Sequence, residues 1–198
     1  LTSFTIPESV TSICEHTFSG CSGLTSITIP ESVTSIESYA FSDCSGLTSI
    51  TIPESVTYIG NFVFINCTSL KDLRIEDGNT TLDLGANSSL WACSSLFNDC
   101  PLETLYLGRN LTCKILGSYS GSTYACTPFY NQDELKSLTI SNNVTYIGGS
   151  AFRNCSGLTS ITIPESVTSI GSSAFHGCSG LPSITIPESV TYIDSSAY

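Results

Sequence analysis

Leu24-Thr25-Ser26-Ile27-Thr28-Ile29-Pro30-Glu31-Ser32-Val33-Thr34-Ser35-Ile36 decides how this chain folds, because it returns almost letter for letter at residues 47–59 and 158–170. Alignment on Leu1, Leu24, Leu47, Leu70, Leu102, Leu135, Leu158 and Leu181 gives a period of 23 residues, stretched to 32 and 33 at the two central intervals. A fixed period of this length marks a stacked repeat array and takes precedence over element-by-element reading. Ile27 and Ile29 alternate with Ser26 and Thr28, the period of a strand with one face buried. Pro30 has no backbone N–H and fits the end of a ladder. Val33 and Ile36 send two more β-branched groups inward, and Ala40, Phe41 and Cys44 read as a short helical or 3₁₀ turn before a Ser-Gly pair closes the coil.

Eight positions per unit point inward, and fully burying one such side chain contributes roughly 1.5–3 kcal/mol. Ordering the backbone costs at least about 1 kcal/mol per residue. A lone unit buries only part of its apolar set, so stability must come from interfaces between stacked neighbours. The sequence therefore predicts one solenoid over residues 1–198, of about eight coils, with insertions in the coils at 70–101 and 102–134. The expected form is a β-rich, right-handed α/β coil with a parallel sheet on one face and turns or helical segments on the other. The chain opens in repeat frame at Leu1 and stops mid-repeat at Tyr198, and is read as a piece of a longer protein.

The strand segment fits the L-x-x-L-x-L pattern of leucine-rich repeats. The fuller unit, with I-P-E-S-V-T-S-I-G and A-F-x-x-C, resembles the BspA-like, Treponema pallidum-type class; Leu102-Glu103-Thr104-Leu105-Tyr106-Leu107-Gly108-Arg109-Asn110 looks like an insertion-bearing variant of it. The resemblance implies a cell-surface or secreted adhesin-type scaffold that binds host or other-cell proteins, including extracellular-matrix or cell-surface proteins, and it carries no catalytic residues. It is a fold-level analogy for function. Two other readings stay open: a structural spacer presenting another domain, and a carbohydrate-binding or carbohydrate-active module hosted by the insertions.

Composition narrows the field. A formal charge of −11 repels polyanions, which excludes a nucleic-acid role. No apolar run approaches the ~18 residues needed to cross a bilayer, so direct membrane insertion is not expected. No nucleophile elbow, P-loop, dinucleotide fingerprint or zinc-protease motif occurs, and no enzyme activity, cofactor or metal is expected. Glu8, Glu31, Glu54, Glu165 and Glu188 recur at one repeat position and read as a solvated acidic rim, with weak cation binding as the sharper alternative. Catalysis by the insertions would need converging carboxylates, for which Asp83, Asp99, Asp133 and Glu134 are the candidates.

Six of ten cysteines (Cys21, Cys44, Cys67, Cys100, Cys155 and Cys178) share one repeat position. Stacking would place them in a column with parallel Cβ vectors near ~4.8 Å spacing, which is poor geometry for a disulfide. They are expected as buried free thiols. Cys113 and Cys126 flank one insertion, where a disulfide would staple the loop if the geometry allows. Trp91 lies in the other insertion and reads as core cover or a partner anchor. Six Asn residues, among them Asn110, begin N-x-S/T triplets.

The breaks in the repeat carry the functional information. Five of the six basic residues fall between 71 and 136. In the repeat frame Lys71, Asp72, Arg74 and Glu76 face outward from the fourth coil, Glu103, Tyr106 and Arg109 lie on or beside the face of the fifth, and Lys136 belongs to the sixth. Arg74, Tyr106 and Thr139 share a position and should be lateral neighbours. An aromatic flanked by a cation amid mixed charge predicts a recognition patch, joined in this reading by the two insertions.

Overall fold

The computed structural model describes residues 2–87, 96–115 and 127–198. The alternating Ile and Leu residues form the expected parallel ladder where it is most regular: β3 (Ser49–Ile52), β5 (Asp72–Ile75), β7 (Thr104–Leu107) and β9 (Ser137–Ile140) pair in that order. Their residues alternate outward and inward, with Ile50, Ile52, Leu73, Ile75, Leu105, Leu107, Leu138 and Ile140 buried. The leading leucines, from Leu24 to Leu158, are completely enclosed.

A second set of strands arises where the sequence predicted only inward-pointing side chains. β1 (Ser12–Ile13), β2 (Ser35–Ile36), β4 (Tyr58–Ile59), β6 (Leu82–Asn87) and β8 (Leu111–Ile115) form one parallel sheet; β10 (Tyr146–Ile147), β11 (Ser169–Ile170) and β12 (Tyr192–Ile193) form another. β6 and β8 are the longest strands of this side, and the two insertions follow them in the sequence. The ladder stops between β8 and β10. There Asn110 supplies the missing rung: its Oδ1 accepts from the backbone N–H of Thr145 at 2.9 Å, and its Nδ2 donates to Thr145 Oγ1 at 2.9 Å. A side-chain amide carries the same donor–acceptor pair as a peptide group, so it can stand in for a strand edge.

The third side is not helical, which corrects the reading of Ala40, Phe41 and Cys44. Tyr39 and Asp43 have left-handed backbones, with φ near 59°. Consecutive amides alternate in direction: Tyr39, Phe41 and Asp43 donate to Asn61, Val63 and Ile65 of the next coil, whereas Ala40, Ser42 and Cys44 donate three residues back. An α-helix directs every interior amide to its own chain, so this alternation excludes one and ties neighbouring coils together instead.

The inward side chains of this third side stack in a file. Phe18, Phe41, Phe64, Phe97, Phe129, Phe152, Phe175 and Tyr198 lie with ring centroids 5.2–5.9 Å apart and nearly parallel planes. Beside them runs the cysteine column, with Cys44, Cys67, Cys100, Cys155 and Cys178 buried and all carrying free thiols. These thiols are more than fillers. Cys44 Sγ donates to the Phe18 carbonyl at 3.0 Å, and Cys67, Cys100, Cys155 and Cys178 repeat the bond to Phe41, Phe64, Phe129 and Phe152. In the fifth coil the position is Gln132, and its Nε2 donates to the Phe97 carbonyl at 3.1 Å. The bond survives a change of residue, so the position supplies a buried donor to the second lone pair of a phenylalanine carbonyl, which at Phe18, Phe41, Phe64, Phe97 and Phe152 already accepts a backbone N–H from three residues on. Cys126, and with it the expected pairing to Cys113, lies outside the described residues, as does Trp91.

Burial pushes the Cys44 and Cys155 thiols up to about 12 from an ordinary value of 9.0. Native protein treated with iodoacetamide at pH 8.5 is therefore expected to label the exposed Cys14 while sparing Cys44 and Cys155, and to label all three once unfolded. Peptide mapping reads this directly; native labelling of Cys155 as fast as Cys14 contradicts it. Because the folded-state value is raised, the stabilisation by these thiols is fully present below about pH 9 and is lost as pH rises from there toward 12.

Candidate functional site

The first sheet places the expected patch residues in lateral register. Arg74 pairs with Tyr106, and Tyr106 with Thr139. The Arg74 Cζ lies 3.9 Å from the Tyr106 ring centroid, a cation–π contact. The Tyr106 hydroxyl donates to Asp77 Oδ2 at 2.8 Å, and the Ser141 hydroxyl donates to Asp77 Oδ1. These hydrogen bonds, led by that from Ser141, hold the Asp77 carboxyl below its ordinary range. One carboxylate from the fourth coil thus fixes a tyrosine of the fifth and a serine of the sixth.

At the start of the same strands Lys71 Nζ meets Glu103 Oε1 at 2.7 Å, both side chains being solvent-accessible. Asp72 accepts from the Thr104 hydroxyl. Lys136 is exposed and 3.9 Å from Glu134, a loose surface pair of little energetic weight. Glu76 is half-buried at the strand end, where its backbone N–H donates to Ile52. The strands form a depression of about 260 Å³, floored by Ile50, Leu73 and Leu105 and walled by Asp72, Arg74, Tyr106 and hydroxyl-bearing residues.

Arg109 does not belong to this patch, contrary to its expected position on or beside the face. It is fully buried. Its Nη1 donates to the Glu54 carbonyl at 2.7 Å and to Thr80 Oγ1 at 3.2 Å, and its Nη2 donates to the Pro53 carbonyl at 2.8 Å. The physical reason is the corner between the two sheets. In the fourth coil that corner, Glu76-Asp77-Gly78-Asn79-Thr80-Thr81, is two residues longer than in the third, judged by the pairing of Ile52 with Ile75 and of Tyr58 with Asp83. The longer corner opens a polar gap that Arg109 fills. Two glycines make room: a Cβ on Gly108 would sit 2.4 Å from the Ile75 carbonyl oxygen, and one on Gly78 would sit 3.2 Å from Arg109 Cδ. Asp77 was missed for a related reason, since the Asp-Gly pair that displaces the P-E-S corner reads as a simple turn.

The bodies of the two insertions, at 88–95 and 116–126, lie outside the described residues. The patch occupies the first sheet, whereas the insertions leave from strands of the second. The carboxylates weighed for catalysis are dispersed. Asp83 is on β6, Asp133 accepts from Ser156 Oγ at 3.1 Å, Glu134 faces Lys136, and only Asp99 lines the groove of about 720 Å³ beside Tyr130 and Gln132. Among the described residues no group of three or more His, Cys, Asp and Glu is placed to hold a metal ion, and no helix is long and apolar enough to cross a membrane. The rim residues Glu8, Glu31, Glu54, Glu165 and Glu188 are all exposed.

The chain matches the family model described as BspA type leucine-rich repeat region, in six copies, over residues 1–120 and 122–198. Among solved structures it is similar to a leucine-rich repeat protein from Eubacterium ventriosum, at 30% identity and a TM-score of 0.63, covering 96% of this chain and 45% of that one. A leucine-rich cell surface protein from Faecalibacterium prausnitzii matches at 27% identity and a TM-score of 0.41, covering 99% and 60%. The T. pallidum leucine-rich repeat protein matches at 22% identity and a TM-score of 0.36, covering 98% and 60%. The chain thus spans less than two thirds of the length of each of these. No curated protein matches it. Repeat period, parallel ladders and family match agree that this chain belongs to the BspA-type leucine-rich-repeat family, a family of repeat scaffolds.

Proposed function

We propose that the chain is a non-catalytic adhesin-type segment of a cell-surface or secreted protein, and that it binds a protein partner of host or cell-cell origin through the face of β3, β5, β7 and β9. The observation that carries this reading is Arg74: a guanidinium held over Tyr106, exposed, and without an ion pair among the described residues. An arginine positioned by an aromatic ring is already ordered before a partner arrives, which lowers the entropic cost of binding. Arg and Tyr are also the side chains that most often dominate binding energies. The working patch comprises Lys71, Asp72, Arg74, Glu76, Glu103, Tyr106 and Lys136, tied by Asp77 and without Arg109. Family membership supports a binding scaffold at the coarser level.

The test is a screen of the chain against extracellular-matrix proteins by surface plasmon resonance, followed by Arg74→Glu and Tyr106→Ala. Each variant is expected to weaken a captured ligand by at least about tenfold, equivalent to about 1.4 kcal/mol, with little change in thermal stability. Unchanged affinity in both variants defeats the proposal and favours a spacer, for which all coils should present equivalent surfaces.

A further inference from the structure

We infer that the depression on the first sheet accepts one isolated carboxylate, carried by an Asp or Glu side chain of an extended segment of the partner protein. The inference rests on the protein-binding reading above and names the chemistry of that site. Arg74 stands at the centre of the depression with guanidinium donors that no acidic group engages within ion-pair distance among the described residues. The neighbouring acids are tied elsewhere, Asp77 by Tyr106 and Ser141, and Asp72 by Thr104. On either side, β3 and β9 present the exposed hydroxyls of Ser49, Thr51, Ser137 and Thr139, none of which makes a side-chain hydrogen bond among the described residues. A guanidinium fork flanked by free hydroxyl donors matches a carboxylate, which takes two parallel N–H bonds and has lone pairs left for the hydroxyls.

Size and surrounding charge select the ligand further. About 260 Å³ lies below the 300–1,000 Å³ usual for drug-sized ligands and fits one or two side chains rather than an oligosaccharide. Asp72 lines the depression, Asp77 holds the hydroxyl of Tyr106 beside it, and the chain as a whole carries −11. A polyanion such as a sulfated glycan would meet this negative field at every further charge, whereas a single carboxylate reaches Arg74 alone. Lys71 is bound to Glu103 and does not compete for the same group.

The experiment pans a random dodecapeptide phage library on the immobilised full chain, with binding remeasured on Arg74→Gln and Tyr106→Ala. Selected peptides are expected to share an Asp or Glu at one position. Changing it to the corresponding amide should weaken binding to the native chain at least tenfold, and by less than threefold on Arg74→Gln, where the partner donor is already gone. Peptides that need Tyr106 but tolerate the amide overturn the carboxylate inference while leaving the protein-binding face standing. Recovery of peptides indifferent to both substitutions, or of none above background, overturns both.

Discussion

Phe64→Ala is expected to remove about 3–5 kcal/mol of stability, the cost of emptying a fully packed aromatic site. Phe64 is completely buried and stacks on Phe41 at 5.6 Å and on Phe97 at 5.4 Å, with interplanar angles of 3° and 4°. Its loss breaks two interfaces at once, between the third coil and each neighbour. In a solenoid each coil packs its core chiefly on those two neighbours, so the damage is not shared across a common core. Urea unfolding followed by circular dichroism should show an earlier and broader transition, as the terminal coils uncouple from the centre. Phe64→Leu keeps much of the volume and should cost less; the difference contains the stacking contribution, about 0.5–1.5 kcal/mol per pair. The control is Phe4→Ala. Phe4 is 45% exposed and meets Phe18 edge-on, so its removal should cost less than about 1 kcal/mol. Equal losses at Phe4 and Phe64 would show that the file of rings is incidental.

The second large effect is expected at Arg109. Arg109→Ala removes the charged donor from the carbonyls of Pro53 and Glu54, of which Pro53 keeps only the Val56 backbone N–H, and hydrogen bonds to a charged group contribute about 1.5–3 kcal/mol each. It also empties the space beneath Gly78, so a total of about 3–5 kcal/mol is expected. For a chain of this length that corresponds to a fall in Tm on the order of 6–20 °C. Arg109→Lys retains the charge but replaces a rigid fork with a point donor, which cannot serve both carbonyls, and should fall between the two. Hydrogen exchange should locate the loss where the third, fourth and fifth coils meet. Burial also lowers the pKa of this guanidinium, opposed by the negative charges of Glu54, Glu76 and Glu31. A normal Tm in Arg109→Ala, accompanied by lost ligand binding, would return Arg109 to the recognition face.

These two residues mark how far the repeat could be read. Phe64 occupies a repeat position that shows its burial, yet nothing in A-F-x-x-C shows that successive rings lie flat on one another. That follows from the left-handed residues at positions such as Tyr39 and Asp43, which set the tilt of the turn. The same alternation misleads local reading, because Ala40-Phe41-Ser42 has helical spacing while every second amide is committed to the next coil. Arg109 was misplaced because counting from Leu102 assumes a corner of constant length, and the preceding corner is two residues longer. Arg74 and Tyr106 were placed correctly because both sit on the strand, before any change in corner length accumulates.

What the sequence determined alone is the period, and with it the stacking, the parallel pairing and the inward face of each strand. A 23-residue unit cannot bury its apolar groups by itself, so repetition forces neighbour upon neighbour. What only the tertiary structure decided is the fate of groups whose partners lie one or two coils away: the thiols and Gln132 on phenylalanine carbonyls, Asn110 in place of a strand, Arg109 in the core, and Asp77 across to Ser141. A hydrogen bond is decided by distances of about 3 Å and by direction. Such distances between coils depend on corner lengths and backbone tilt, which a linear period leaves free.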